Sequence, residues 1–200
     1  MPYPSYEGVQ NTMPPKWERV FGHKRMRLII DATELFMETP STKSANRTTF
    51  SHYKHHNTVK FLVGMTPCGA CVYISEGYGG SIDDVKLVEV CGLLFALEDG
   101  DDLQADKGFM IHHLLACLGV GLSVPPKAYN NQAHFTAEQV AETERIANMR
   151  IHVERVMARI KEFGILGKAL KITQVDLATD IFTICALLGN YSLPLVGNQQ

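Results

Sequence analysis

Changes in the spacing of apolar residues divide this chain into elements. Leu28-Ile29-Ile30 is an unbroken apolar run ending in Asp31, the pattern of a buried strand with a carboxylate at its C-terminal end. The polar, basic stretch from Thr39 to Asn57 reads as a loop. Residues 59–65 and 71–75 are β-rich runs separated by Thr-Pro-Cys-Gly-Ala, which predicts a hairpin. Gly79-Gly80 breaks the chain. Ser81-Ile82-Asp83-Asp84 then has the spacing of a capping box, opening a helix expected to run to about Leu97. Leu103-Gln104-Ala105 predicts a short strand that delivers Asp106, with Gly108 as punctuation. A helix is expected over 110–118 and another short strand over 122–124, before Pro125-Pro126.

The most regular pattern lies further on. Thr136 and Gln139 form a second capping box, with Phe135 and Val140 as its hydrophobic staple. Ile146, Val153, Met157, Ile160 and Phe163 follow at helical spacing, and Gly164 is a natural stop. A last helix is expected from about Thr173 to Leu188, closed by Gly189-Asn190. The order is strand, hairpin, helix, strand, helix, strand, helix, helix, with no internal repeat. It predicts one mixed α/β domain over residues 27–190, with a Pro-rich lead-in at 1–26 and a tail at 191–200. Trp17 is expected to pack the lead-in against the domain.

Composition narrows the class. Two hundred residues suffice for one well-buried domain, and 46% hydrophobic with 20% charged residues is ordinary for a soluble protein. No stretch approaches the roughly 20 apolar residues needed to span a bilayer, so no membrane partner is expected. The first ten residues have neither a basic n-region nor an apolar h-region, so no secretory signal is expected. Five cysteines, an odd number, suggest reduced thiols and an intracellular setting.

A formal charge of -2 gives no whole-chain reason to expect a nucleic-acid partner. The distribution is less even. Thr39 to Ser75 holds no Asp or Glu, yet contains Lys43, Arg47, Lys54 and Lys60 together with His52, His55 and His56. A second basic cluster covers His23 to Arg27, while acidic residues gather from Glu76 to Asp106. Local positive surface is therefore expected, although such runs also occur as plain solvated faces.

Three carboxylates stand at informative places: Asp31 and Asp106 at strand ends, and Glu154 on the long helix. Cutting a phosphodiester requires an activated water and a stabilised leaving alkoxide. A pair of divalent ions about 3.5–4 Å apart supplies both. Carboxylates suit hard Mg²⁺ or Mn²⁺, which prefer oxygen and keep positions open for phosphate. Lys161 follows Glu154 by seven residues and Arg150 precedes it by four, so both share its helical flank beside small Ala147 and Ala158. Two other readings stay open here: strand-end carboxylates often cap turns, and Arg150 with Glu154 can be an ordinary i,i+4 pair.

Several segments carry a resemblance. RLIIDATELF (27–36), TFSHYKHHNTVKFLVG (49–64), SEGYGGSIDD (75–84), DLQADKGF (102–109) and RIHVERVMARIK (150–161) resemble, in order, the transposase-derived DDE superfamily endonucleases related to the Harbinger/PIF elements. The resemblance implies an RNase H-like α/β fold, a mixed central sheet flanked by helices. It also implies a catalytic triad of Asp31, Asp106 and Glu154 holding two Mg²⁺ or Mn²⁺ ions. The 47 residues between Asp106 and Glu154 are in keeping with that group. The implied activity is hydrolysis at transposon ends, followed by attack of the freed 3′-hydroxyl on target DNA.

DNA is then the expected partner, with Lys54, His56, Lys60, Arg150 and Lys161 as phosphate contacts. The alternative is a transposon-derived module that binds DNA or protein without cleaving, or a fragment inactive without its N-terminal DNA-binding region. Family members often carry a zinc finger or helix-turn-helix there, and residues 1–26 show neither pattern. Sequence recognition is accordingly expected from a separate DNA-binding partner protein, and a homodimer is compatible with the sequence. The substrate implies a nuclear location, with the basic cluster at 23–27 as support, and otherwise a cytoplasmic one.

The remaining candidates carry blander readings. Asp84 fits a cap, and Asp102 fits a turn. Glu34 is evenly balanced between supporting the site and simple exposure. His112, His113 and His152 are expected to be packed or solvated. Cys68 and Cys71 with His52 and His56 have a zinc-ligand composition, but the hairpin-turn reading is preferred for the cysteines.

Overall fold

In a computed structural model that describes residues 3–15, 26–124 and 152–192, the sheet is built around one long strand, β1 (Met26–Phe36). β1 pairs antiparallel with β3 (His56–Met65), from Ile29↔Met65 to Phe36↔Thr58. On its other side lies β6 (Asp102–Gln104), parallel to β1, and then β7 (Gly121–Ser123), parallel to β6. β2 (Phe50–Ser51), β4 (Cys71–Ile74) and β5 (Tyr78–Gly79) all pair with the outer side of β3, completing seven strands. The result is a mixed α/β architecture.

Alternation along β1 separates two cores. Ile29 and Leu35 share one face with Val59, Phe61, Val63 and Met65 of β3. Over that face lie α5 (residues 152–161), through Val153, Val156, Met157 and Ile160, and α6 (Ala178–Asn190), through Phe182, Cys185 and Ala186. Phe61 and Phe182 stack with ring centroids 4.8 Å apart. On the opposite face, Leu28, Ile30 and Leu62 meet Leu87 and Val88 of α3 (Asp84–Val90), along with Leu103, Phe109 and Leu115. Each such side chain taken from water contributes about 1.5–3 kcal/mol, so both faces of β1 and β3 are strongly held.

The lead-in is packed onto this body. Val9 of α1 (Tyr6–Asn11) is buried, and the Arg27 guanidinium lies 5.0 Å from the Tyr3 ring centroid. Arg27 itself is 2% exposed and paired with Asp101 at 3.2 Å and Glu98 at 3.5 Å. It therefore adds nothing to a basic surface, which corrects that part of the expected 23–27 cluster. Trp17 lies outside the described residues.

Several boundaries differ from expectation. β1 does not end at Asp31 but continues to Phe36, because residues 31–36 keep strand pairing with β3. The stretch 39–57 is no simple loop. It holds α2 (Lys43–Thr49), capped by the Thr42 hydroxyl, which accepts from the Ala45 N–H at 3.3 Å, and then β2. α3 is capped by Asp83, whose Oδ1 accepts from the Lys86 N–H at 2.8 Å, while Ser81 Oγ donates to the Thr48 carbonyl. It stops at Cys91 because Gly92 turns left-handed with φ 86°, and a 3₁₀ turn follows at Leu93–Ala96. Tyr73 and Tyr78 donate to the carbonyls of Cys91 and Val90, satisfying the helix end at 2.6 and 3.0 Å. α4 (His112–Ala116) is shorter than expected. The capping box at Thr136 and Gln139 lies outside the described residues.

The C-terminal segment also corrects an expectation. Ile172–Asn190 joins a 3₁₀ turn (Ile172–Leu177) to α6, and by length and composition it could cross a membrane, with mean hydropathy 1.4 over its apolar window. Its Ala178–Phe182–Cys185–Ala186 stripe nevertheless packs on the sheet as a core helix does. Gly189 does not terminate α6 but is buried within it. Beyond it, the Asn190 carboxamide pairs with both backbone groups of Cys71, at 2.8 and 2.9 Å.

Candidate active site

Asp31 lies on β1, and Asp106 lies two residues past the end of the neighbouring β6. The parallel register between β1 and β6 pairs Ile29 with Gln104, and each aspartate follows two residues later. Strand alternation puts Asp31 in phase with Ile29, on the face covered by α5 and α6. Ala105 belongs to the opposite core, which sets Asp106 in phase with Gln104 and so with Asp31. Both aspartates are half-buried. Asp31 Oδ1 accepts from the N–H of Ala32 at 2.9 Å, a bond that orients its carboxylate.

α5 carries the next two candidates. Val153, Val156, Met157 and Ile160 point into the core, so Glu154 and Lys161 fall together on one flank of the helix. Glu154 is exposed. Lys161 is half-buried, and its Nζ donates to the backbone carbonyl of Glu34 on β1 at 3.2 Å. Burial holds the Lys161 pKa below the ordinary lysine value, and Lys54 lowers it further, while Glu34 and Asp31 act in the opposite sense. Lys161 thus lies in the field of the Asp31 carboxylate. Arg150 lies outside the described residues.

Glu34 and Lys60 face the other side of the sheet, directly opposite each other in the β1–β3 register. The Thr58 hydroxyl donates to Glu34 Oε2 at 2.7 Å, and Lys60 Nζ stands 3.8 Å from Glu34 Oε1. Lys60 also donates to the Ile82 carbonyl at 2.8 Å and to Asp84 Oδ1 at 3.3 Å. Its ammonium is therefore engaged within the protein, with 12% of the side chain exposed. Asp84, expected as a cap, is instead the first residue of α3 and an ion-pair partner. The glycines beside it make room for this cluster. A Cβ on Gly80 would fall 1.9 Å from Thr58 Oγ1, and one on Gly79 would fall 2.3 Å from the Thr48 carbonyl oxygen. The hairpin register would have revealed the Glu34–Lys60 pair, since opposite charges facing across strands attract.

Lys54 lies in the turn from β2 into β3, and His56 is the first residue of β3. Both are exposed, with His52, Tyr53 and His55 beside them. The turn is closed by His55 at φ 55° and by Ser51 Oγ, which accepts from the Lys54 N–H at 3.2 Å. Cys68 and Cys71 lie past the far end of β3 from His56, some 30 Å away at about 3.3 Å per residue. A shared zinc site with His52 and His56 is thereby excluded. Burial also pushes the Cys71 thiol up to about 12, and all five cysteines are free.

Hard oxygen donors at Asp31 and Asp106 suit a divalent cation. They are not joined into a finished cage: among the described residues no group of three His, Cys, Asp or Glu side chains stands close enough to hold an ion. Glu154 is therefore not brought against the two aspartates in this arrangement.

The chain matches no curated protein and no solved structure. The family model of the DDE superfamily endonucleases matches residues 30–190, from β1 through the end of α6. That span takes in Asp31, Asp106, Glu154 and Lys161 and most of the chain, and the protein belongs to the DDE superfamily endonuclease family.

Proposed function

We propose that this protein is a divalent-metal-dependent DNA endonuclease of the transposase type, with Asp31, Asp106 and Glu154 as its metal ligands. The observation that carries this is the parallel β1–β6 register, which sets Asp31 and Asp106 at equal offsets on one face. The Harbinger/PIF group is the proposed branch, on the motifs quoted above. An RNase H-like fold is supported by the order β4-β3-β1-β6-β7, in which three antiparallel strands are followed by two parallel to β1.

Asp31 and Asp106 would hold the cation, and the Ala32 N–H orients the Asp31 carboxylate. Glu154 supplies the third carboxylate from the flank of α5 that it shares with Lys161. From the Lys161–Glu34 contact, Glu154 is two helical turns away and Asp31 three strand residues away, each about 10 Å. In this reading α5 moves toward Asp31 when substrate arrives and brings Glu154 to the cation. Mg²⁺ or Mn²⁺ held there would activate the nucleophile, water in hydrolysis and the freed 3′-hydroxyl in strand transfer, and would stabilise the leaving 3′-oxygen in both. Lys161 and exposed Lys54 hold the phosphate backbone, whereas Lys60 supports the site from behind through Glu34 and Asp84.

The test is nicking of supercoiled plasmid at low salt with Mn²⁺, comparing wild type with Asp31→Asn and Glu154→Gln. Metal-dependent nicking by wild type, reduced at least a hundredfold in both variants, is the expected result. Equal activity in all three sinks the ligand assignment. Folded protein that binds DNA and never nicks it points to the non-cleaving module.

A further inference from the structure

The turn from β2 into β3 carries a feature that phosphate contact does not use. Tyr53 is 82% exposed at its tip, an unusual setting for a large aromatic side chain. The Lys54 ammonium lies 4.7 Å from the ring centroid, covering one face and leaving the other to solvent. The base of the turn is firm. Phe50 and His52 make an edge-to-face contact at 5.5 Å, and Phe36 and His56 make another at 5.4 Å. The left-handed φ of His55 fixes the reversal. A rigid turn thus presents one flat aromatic ring amid cationic and imidazole side chains, in a stretch free of carboxylates.

We propose that this turn is a stacking platform for an unpaired nucleotide, with Tyr53 against the base and Lys54 on the adjoining phosphate. Every base has a π-face, so an exposed ring beside a cation suits unpaired nucleic acid without demanding a sequence. A protein partner would be expected to bury a broader apolar patch, and the neighbours of Tyr53 here are polar. The turn lies beyond Phe36, five residues and about 17 Å along β1 from Asp31. Lys161, in the field of both Lys54 and Asp31, bridges that interval. The platform would hold distorted DNA a few nucleotides from the scissile phosphate, and it rests on the nuclease reading above for that placement.

The experiment measures binding by the full chain, without divalent metal, to a short labelled duplex and to the same duplex carrying a bulge of unpaired thymidines. Wild type should favour the bulged duplex roughly tenfold. Tyr53→Ala should lose that preference and bind the paired duplex as before, while Tyr53→Phe keeps it. Equal binding of the two duplexes by wild type, or a preference that survives Tyr53→Ala, overturns the inference. Metal-dependent nicking without a bulge preference overturns the platform and leaves the nuclease standing. A Tyr53-dependent preference in a protein that never nicks does the reverse.

Discussion

Lys161 Nζ donates to the backbone carbonyl of Glu34 at 3.2 Å, fastening the end of α5 to the strand that carries Asp31. The contact fixes where the flank bearing Glu154 meets the sheet. It also places an ammonium in a partly dry setting, and burial is the main reason its pKa falls below the ordinary value.

That depression has a pH signature. Between the lowered folded pKa and the ordinary value of about 10.4, the folded protein binds fewer protons at Lys161 than the unfolded chain does. Stability from this group therefore rises with pH through that window and is lower beneath it. DNA affinity should move the other way, since Lys161 loses its charge as pH climbs through its folded pKa. Binding titrations across the alkaline range should show wild type weakening before an ordinary lysine would. Lys161→Arg, charged throughout, should stay flat. If both fall together, Lys161 makes no phosphate contact.

Lys60 should behave as a structural cation. Lys60→Met leaves the Glu34 carboxylate, with 7% of its side chain exposed, facing a lost partner. The cost should be roughly 2–3 kcal/mol, below that of a fully buried pair because the separation is long and Asp84 is partly solvated. Urea unfolding measures this. Adding Glu34→Gln should recover part of the loss. Lys54→Ala should leave stability unchanged and lower the salt dependence of DNA binding by about one. A Lys60→Met protein of normal stability with a reduced salt slope would return Lys60 to the DNA surface.

The physical origin of each boundary explains what the sequence revealed. Residues 28–30 and, Lys60 apart, 59–65 carry no charge because both faces of β1 and β3 are covered, so the central strands announced themselves. β1 beyond Asp31 was hidden because its Thr33 is buried and its Glu34 is bonded by Thr58, neither of which composition can show. α2 buries no residue and has no apolar stripe. Part of its support is the Asn57 amide, which donates to Asn46 and Thr49 from a neighbouring strand. Ser81 looked like a cap until its hydroxyl was claimed by Thr48. The candidate site was legible as residue types and spacing. Its register, and the engagement of Lys60, needed the paired strands.

The Gly79-Gly80 pair should be intolerant for steric reasons. In Gly80→Ala the new methyl would overlap the Thr58 hydroxyl and crowd the Thr49 carbonyl, 2.8 Å away. Thr58 must shift, and its bond to Glu34 goes with it. A loss of about 1–3 kcal/mol is expected in thermal or urea unfolding. Nicking should fall less than in Asp31→Asn, because the aspartates lie on the other face of β1. A Gly80→Ala protein as stable as wild type would mean that the turn relaxes freely.

Metal binding can be read without any cleavage. A cation that binds the folded chain and not the unfolded one stabilises it by about 2.7 kcal/mol at a hundredfold excess over its dissociation constant. For a chain of this size that corresponds to roughly 5–10 °C in melting temperature. Mn²⁺ should therefore raise the Tm of wild type, and the rise should vanish on addition of a chelator. Asp31→Asn and Asp106→Asn should each abolish it, since each removes one of the two carboxylates set at equal offsets from the β1–β6 register. Glu154→Gln should keep part of the shift, because Glu154 stands exposed and would join only when α5 closes over DNA. Full retention in either aspartate variant would remove that residue from the metal site. An equal loss in all three would mean that the cage forms without DNA, with α5 closing on the cation alone.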